Sequence, residues 1–76
     1  MTAKDWFAGF AAILGVEPPT GDEVRDLLVL AGEAAHSSER IAAPITCWLI
    51  ARAGISPAEA LKKIEEWKKD GLKTER

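Results

Sequence analysis

Residues 41 to 51 read IAAPITCWLIA. Wound as a helix, this run puts apolar groups on every side, Ile41, Ile45, Cys47, Trp48, Leu49 and Ile50 among them. A helix that is apolar all round belongs in a core or an interface. The chain has 76 residues in which to bury it. At that length only roughly 60 % of the unfolded surface is removed from water, so stability without further help is marginal. Small domains recruit disulfides, metals or copies of themselves. A lone cysteine, Cys47, excludes an intramolecular disulfide, and a lone histidine, His36, excludes the usual zinc spacings. Association is what remains. A homo-oligomer or a partner protein domain is expected, with Ile41, Ile45 and Trp48 at the contact.

The same run contains Pro44 and Thr46 and falls short of a membrane span. Lys4, Asp5 and Trp6 follow the start without the basic and apolar regions of a signal peptide. A cytoplasmic protein without membrane contact is expected. Up to Glu33 the chain carries six acids against Lys4 and Arg25, and from Arg40 onward eight bases against five acids. Those bases alternate with Glu59, Glu65, Glu66 and Asp70 at helical spacing, whereas tracking a phosphate backbone needs unpaired clustered cations. Nucleic-acid binding is not expected.

Tyrosine is absent and no alternating apolar-polar run occurs, so strands have little support. Helix caps are plentiful. Thr2 with Asp5 opens a first helix at about 3–14, with Trp6, Phe7, Phe10, Ile13 and Leu14 on one face and Gly15 as its stop. The prolines of VEPPT make an extended connector. Thr20 with Glu23 opens a second helix at about 21–36, whose stripe reads Val24, Leu27, Leu28, Ala31, Ala34 and Ala35. A third helix is expected over about 38–53, kinked near Pro44, which lacks an N–H and crowds the carbonyl of Arg40. Ser56, Pro57 and Glu59 open a fourth at about 57–70, with Ala60, Leu61, Ile64, Trp67 and Leu72 as its stripe. Beyond Gly71 the chain is expected to fray. The fold class is an all-α, four-helix, bundle-like single domain over residues 1–76.

Several residues carry chemistry. Glu33 and His36 have the Glu-x-x-His spacing of di-iron bundles, but such sites need further carboxylates and a second such pair. A solvated helix face explains the pair more simply. His36 is a candidate general acid or base by residue type, yet Ser37 and Ser38 adjoin it only in sequence, which is not triad geometry. Cys47, in an apolar helix, reads as a small hydrophobe. Glu39 and Arg40 sit at a helical corner, where partial burial is expected. Arg40 there either ties carbonyls at the end of the second helix or offers a fork to a phosphate or carboxylate. His36, Glu39, Arg40 and Thr46 are thus the candidate ligand or partner contacts, with no catalytic residue, metal ligand or cofactor assigned. An acyl-carrier reading fails, since Ser37 is followed by Ser38 and Glu39, and the second helix opens with Thr20, Gly21 and Asp22.

The stretches DWFAGFAAILGVEPPTGDEV and AHSSERIAAPITCWLIARAGISPAEA resemble a small actinobacterial helical domain of unassigned activity. That domain occurs alone, or beside or fused to a nucleotidyltransferase similar to the molybdenum-cofactor guanylyltransferase. Its middle motif maps onto His36, Arg40, Ala42, Ala43, Pro44 and Thr46. The resemblance runs from about residue 2 to 62, and the Lys- and Glu-rich last helix departs from it. It implies context rather than chemistry. The expected function is a non-catalytic accessory or interaction module linked to molybdenum-cofactor maturation. The alternatives are an oligomeric assembly with a metal at Glu33 and His36, or a small enzyme using His36.

Overall fold

A computed structural model describes residues 1–71 of the chain. Leu72 and the terminal segment expected to fray lie outside the described residues. Four helices follow in order: α1 (Ala3–Leu14), α2 (Gly21–Ser37), α3 (Ala42–Ala53) and α4 (Pro57–Lys69), with no strand among the described residues. The fold is all-α.

Side-chain caps start three of the four helices. The Thr2 hydroxyl accepts from the Asp5 N–H at 3.1 Å, and the Ser56 hydroxyl accepts from Glu59 N–H at the same distance. Thr20 and Glu23 form a reciprocal box, each side chain accepting the other's backbone N–H. Gly15 and Gly54 stop α1 and α3 in the left-handed region, both at φ 74°, which a residue without Cβ adopts freely.

The third helix differs from expectation at its start. It begins at Ala42 rather than near Ser38, and Ile41 at its N-cap offers no side-chain bond. Ser38 instead closes α2: both its N–H (3.1 Å) and its hydroxyl (3.0 Å) donate to the Ala34 carbonyl. A tight turn then connects the helices, with the Ala42 and Ala43 N–H groups donating to the carbonyls of Glu39 and Arg40. Pro44 therefore falls in the first turn of α3, where a backbone N–H has no helical partner to lose. The expected kink is not confirmed. Nor does the proline free a carbonyl, because Ala43 occupies that of Arg40 at 3.1 Å.

Packing is organised around α2, on which α3 and α4 both rest. Among the described residues Leu30 is the one large side chain completely buried, and Ala60 of α4 is buried nearly as well. This corrects the expected stripe of α2. Leu28 is 69 % exposed, while Leu30, left out of that stripe, is at its centre. Helix α1 stands apart. No other helix packs on it to the extent that α3 and α4 pack on α2. Only Ala11 on it is buried and Phe7 half-buried, whereas Trp6, Phe10, Ile13 and Leu14, expected to face a core, are exposed. The molecule is accordingly elongated, 39 × 22 × 22 Å.

Leu30→Ala should destabilise the fold by about 3 kcal/mol, because the packed site between the helices has little room to collapse. Leu28→Ala should cost less than about 0.5 kcal/mol in dilute protein. Urea denaturation of both variants checks the order, and equal midpoints would place the core elsewhere.

Candidate functional site: the exposed apolar faces

The corner between α2 and α3 was the expected location of a site. His36, Glu39 and Arg40 are all exposed there, so the partial burial expected for Glu39 and Arg40 is not found. The Ala34 carbonyl at the end of α2 is taken by the Ser38 N–H and hydroxyl. Thr46 is half-buried and faces another direction, into a groove described below. The four residues are neighbours in the chain, but they do not converge on one cavity.

Glu33 is not aimed at His36. Its carboxylate accepts from Lys68 Nζ at 3.1 Å, an ion pair that ties the last turn of α4 to α2. The hydrogen bond to Glu33, then its charge, then that of Glu65, raise the Lys68 ammonium above its ordinary 10.5. Among the described residues, no group of three or more His, Cys, Asp or Glu side chains is placed to hold a metal ion. No helix among them is long and apolar enough to cross a membrane.

What the surface does present is apolar. Ile41 at the N-cap of α3 and Ile45 and Trp48 on the helix follow one another at steps of four and three residues, and each is more than half exposed. Arg52 extends that line and places its guanidinium 5.4 Å from the Trp48 ring centroid, a cation-π contact one turn away. A second face of α3, carrying Ala42, Thr46 and Leu49, forms one wall of a groove of about 430 Å³. Glu33, Ala34, Ser37 and Ser38 at the end of α2, and Ile64 and Trp67 of α4, line the rest of it. The third apolar surface is α1. Trp6 and Phe10 pair there at 6.2 Å between ring centroids, beside Gly9 and Ile13.

Residues 1–71 match a domain family described as a domain of unknown function, DUF6457. The chain belongs to that family. No curated protein and no solved structure matches it. The family match spans α1 as well as the three packed helices, so the exposed first helix is part of the family's domain and not an appendage to it.

The groove and the α1 face were not singled out from the sequence as sites. Leu49, Ile64, Trp67, Trp6 and Phe10 read there as ordinary core residues, because helical periodicity reports which residues share a face but not whether that face is covered. Only the Pro18–Pro19 connector hinted that α1 is held apart.

Two outcomes follow. Lys68 is raised above its unfolded value, so its contribution to stability is complete below about pH 10.5 and is lost as pH rises through the raised folded value. Lys68→Met should remove that alkaline loss and the accompanying salt sensitivity, while changing the melting temperature little near neutrality. Thermal melts across pH and salt check this, and an unchanged alkaline profile in the variant would show the pair to be idle. Separately, purified protein should hold no stoichiometric metal, and Glu33→Ala and His36→Ala should leave metal content unchanged. One equivalent of iron or zinc, lost in either variant, would restore the metal alternative.

Proposed function

We propose that the domain is a non-catalytic interaction module that serves a partner enzyme by docking, with the α3 face of Ile41, Ile45 and Trp48 as the partner contact. The observation that carries this reading is the exposure of those three side chains on one face, at 73, 57 and 57 %. A large apolar side chain left in water forgoes roughly 1.5–3 kcal/mol. Contiguous patches of this kind are rare on soluble monomers unless they bind something. Exposed Trp48 beside Arg52 adds the residue types that dominate binding energy at protein contacts. His36, Glu39 and Arg40, exposed at the neighbouring corner, supply a polar rim to such a contact.

The partner class comes from the resemblance around His36, Arg40 and the Ala42–Ala43–Pro44 segment. It is a nucleotidyltransferase similar to the molybdenum-cofactor guanylyltransferase, and that association supports a role in cofactor maturation. Adjacent or fused occurrence keeps two such chains at high effective concentration, so even a modest contact suffices.

Calorimetric titration of this protein with such a purified nucleotidyltransferase tests the proposal. Saturable binding is expected, weakened at least about tenfold by Trp48→Asp or Ile41→Asp and little changed by Leu28→Ala. Binding that ignores Trp48 and Ile41 would move the contact elsewhere, and no binding at about 100 μM would remove the enzyme as partner.

A further inference from the structure

We propose that the domain pairs with a second copy of itself through its first helix, α1 of one lying antiparallel on α1 of the other, with each Phe10 seated over the opposite Gly9. This is separate from the partner contact on α3, on a different helix and with a different occupant.

Residues 6–16 read WFAGFAAILGV, a run without a charged side chain, and most of it lies in α1. A helix this apolar belongs in a core or an interface. Within the chain, however, only Ala11 of α1 is buried and only Phe7 half-buried. Trp6, Phe10 and Ile13 fall within roughly 60° of one another around the helix axis, and Gly9 adjoins them. With Met1 and Asp5 they line an open, almost wholly apolar cup of about 200 Å³. A site of roughly 150 Å³ already accepts a benzene ring, so the cup has room for one aromatic side chain. Gly9 makes the case specific. A glycine inside a helix weakens it relative to alanine. Among the described residues, a Cβ built at Gly9 would meet nothing within 4 Å. Packing within the chain thus gives no reason for a glycine there, whereas a ring pressed onto the backbone from outside does.

Size, register and charge point to the occupant. Trp6, Phe10, Ile13 and Leu14 are 60, 48, 79 and 59 % exposed. At roughly 150–250 Å² for a whole large side chain, they leave on the order of 500 Å² in water on each chain. Two copies together reach about 1,000 Å², the area at which a specific contact begins, and flanking residues add to it. The cup and a ring to fill it lie side by side on the same helix, so a two-fold pair satisfies both at once and closes. An axis between residues 9 and 10 of an antiparallel pair sets Phe10 over the opposite Gly9 and Trp6 against the opposite Ile13. The C-terminal ends of the two helices are then about 18 Å apart, which carries the helices that follow to opposite ends of the contact. A membrane surface is the poorer match. Helices that lie on membranes set Lys and Arg opposite their apolar face. On α1 Lys4 is the one cation, and Asp5 beside it cancels its charge.

Sedimentation equilibrium of the intact protein between about 5 and 500 μM tests the pairing, and a dimer of twice the chain mass is expected. Gly9→Leu fills the cup. Leucine is the better helix former, so a loss of dimer in that variant is not a loss of α1. It should weaken the dimer at least about tenfold, because overpacking a close contact forces the two backbones apart. Phe10→Asp should weaken it roughly 100-fold by burying a carboxylate without a partner. Circular dichroism confirms that each variant keeps its helices, and Phe10→Ala replaces Phe10→Asp if the charged variant loses them. Trp48→Asp, on the α3 face, should leave the dimer within about twofold of wild type. A wild-type monomer at about 500 μM overturns the pairing, and binding of that monomer to phosphatidylcholine–phosphatidylglycerol vesicles would give the α1 face to a membrane instead. A dimer indifferent to Gly9→Leu, or one lost in Trp48→Asp, also overturns it. Titration with the nucleotidyltransferase is read separately, so either contact can fail without the other.

Discussion

The burial of Leu30 against the helices that rest on α2 holds the described structure together. Helices α3 and α4 both pack on α2, and among the described residues Leu30 is the only large side chain fully removed from water. The remaining buried residues, Ala11 and Ala60, contribute little apolar area. Around that point the other ties are light. The Lys68–Glu33 pair fastens α4 to α2 at a partly exposed site, where ion pairs add little. A domain with so small a centre has its apolar residues outside as much as inside. The function by contact proposed above draws on that imbalance.

The corner after α2 shows how local chemistry shapes those outer faces. Ser38 turns its hydroxyl and N–H onto the Ala34 carbonyl and ends the helix, and a tight turn through Glu39, Arg40 and Ile41 follows. Helix α3 then begins with Pro44 already in its first turn. One consequence is that Ile41, Ile45 and Trp48 point outward as a line. Another is that Ala42, Thr46 and Leu49 border the groove against α4. The polar residues of the corner, His36 and Arg40 included, flank these surfaces without forming a cavity of their own. Their nearness in sequence suggested a site because it is the one place where the chain's rare residue types gather.

Helix identity and three of the four helix starts were legible in the sequence, because caps are local. Thr2, Thr20 and Ser56 each satisfy an N–H three residues on, and Gly15 and Gly54 supply left-handed stops, whatever the rest of the chain does. The start of α3 was not legible, since its N-cap Ile41 has no capping group and the turn before it is held by backbone bonds alone. The all-α class, the apolar excess of the third helix and the stripe of α4 up to Trp67 follow from such local and periodic signals.

Which apolar face is covered was decided only in three dimensions. Helix α2 carries apolar residues at every position from Leu27 to Ala31, so its periodicity fits more than one rotation about the axis. The docking of α3 and α4 selects the rotation that buries Leu30 and exposes Leu28. Periodicity in α1 marks Trp6, Phe10 and Ile13 as one face, yet cannot say that the helix would be held off by its proline connector. The partnership of Glu33 with Lys68, 35 residues away, is equally invisible to spacing. Cap bonds and helical repeats involve residues a few positions apart, and the sequence alone determines them. The burial of a side chain depends on which distant surfaces arrive beside it, and only the tertiary structure settles that.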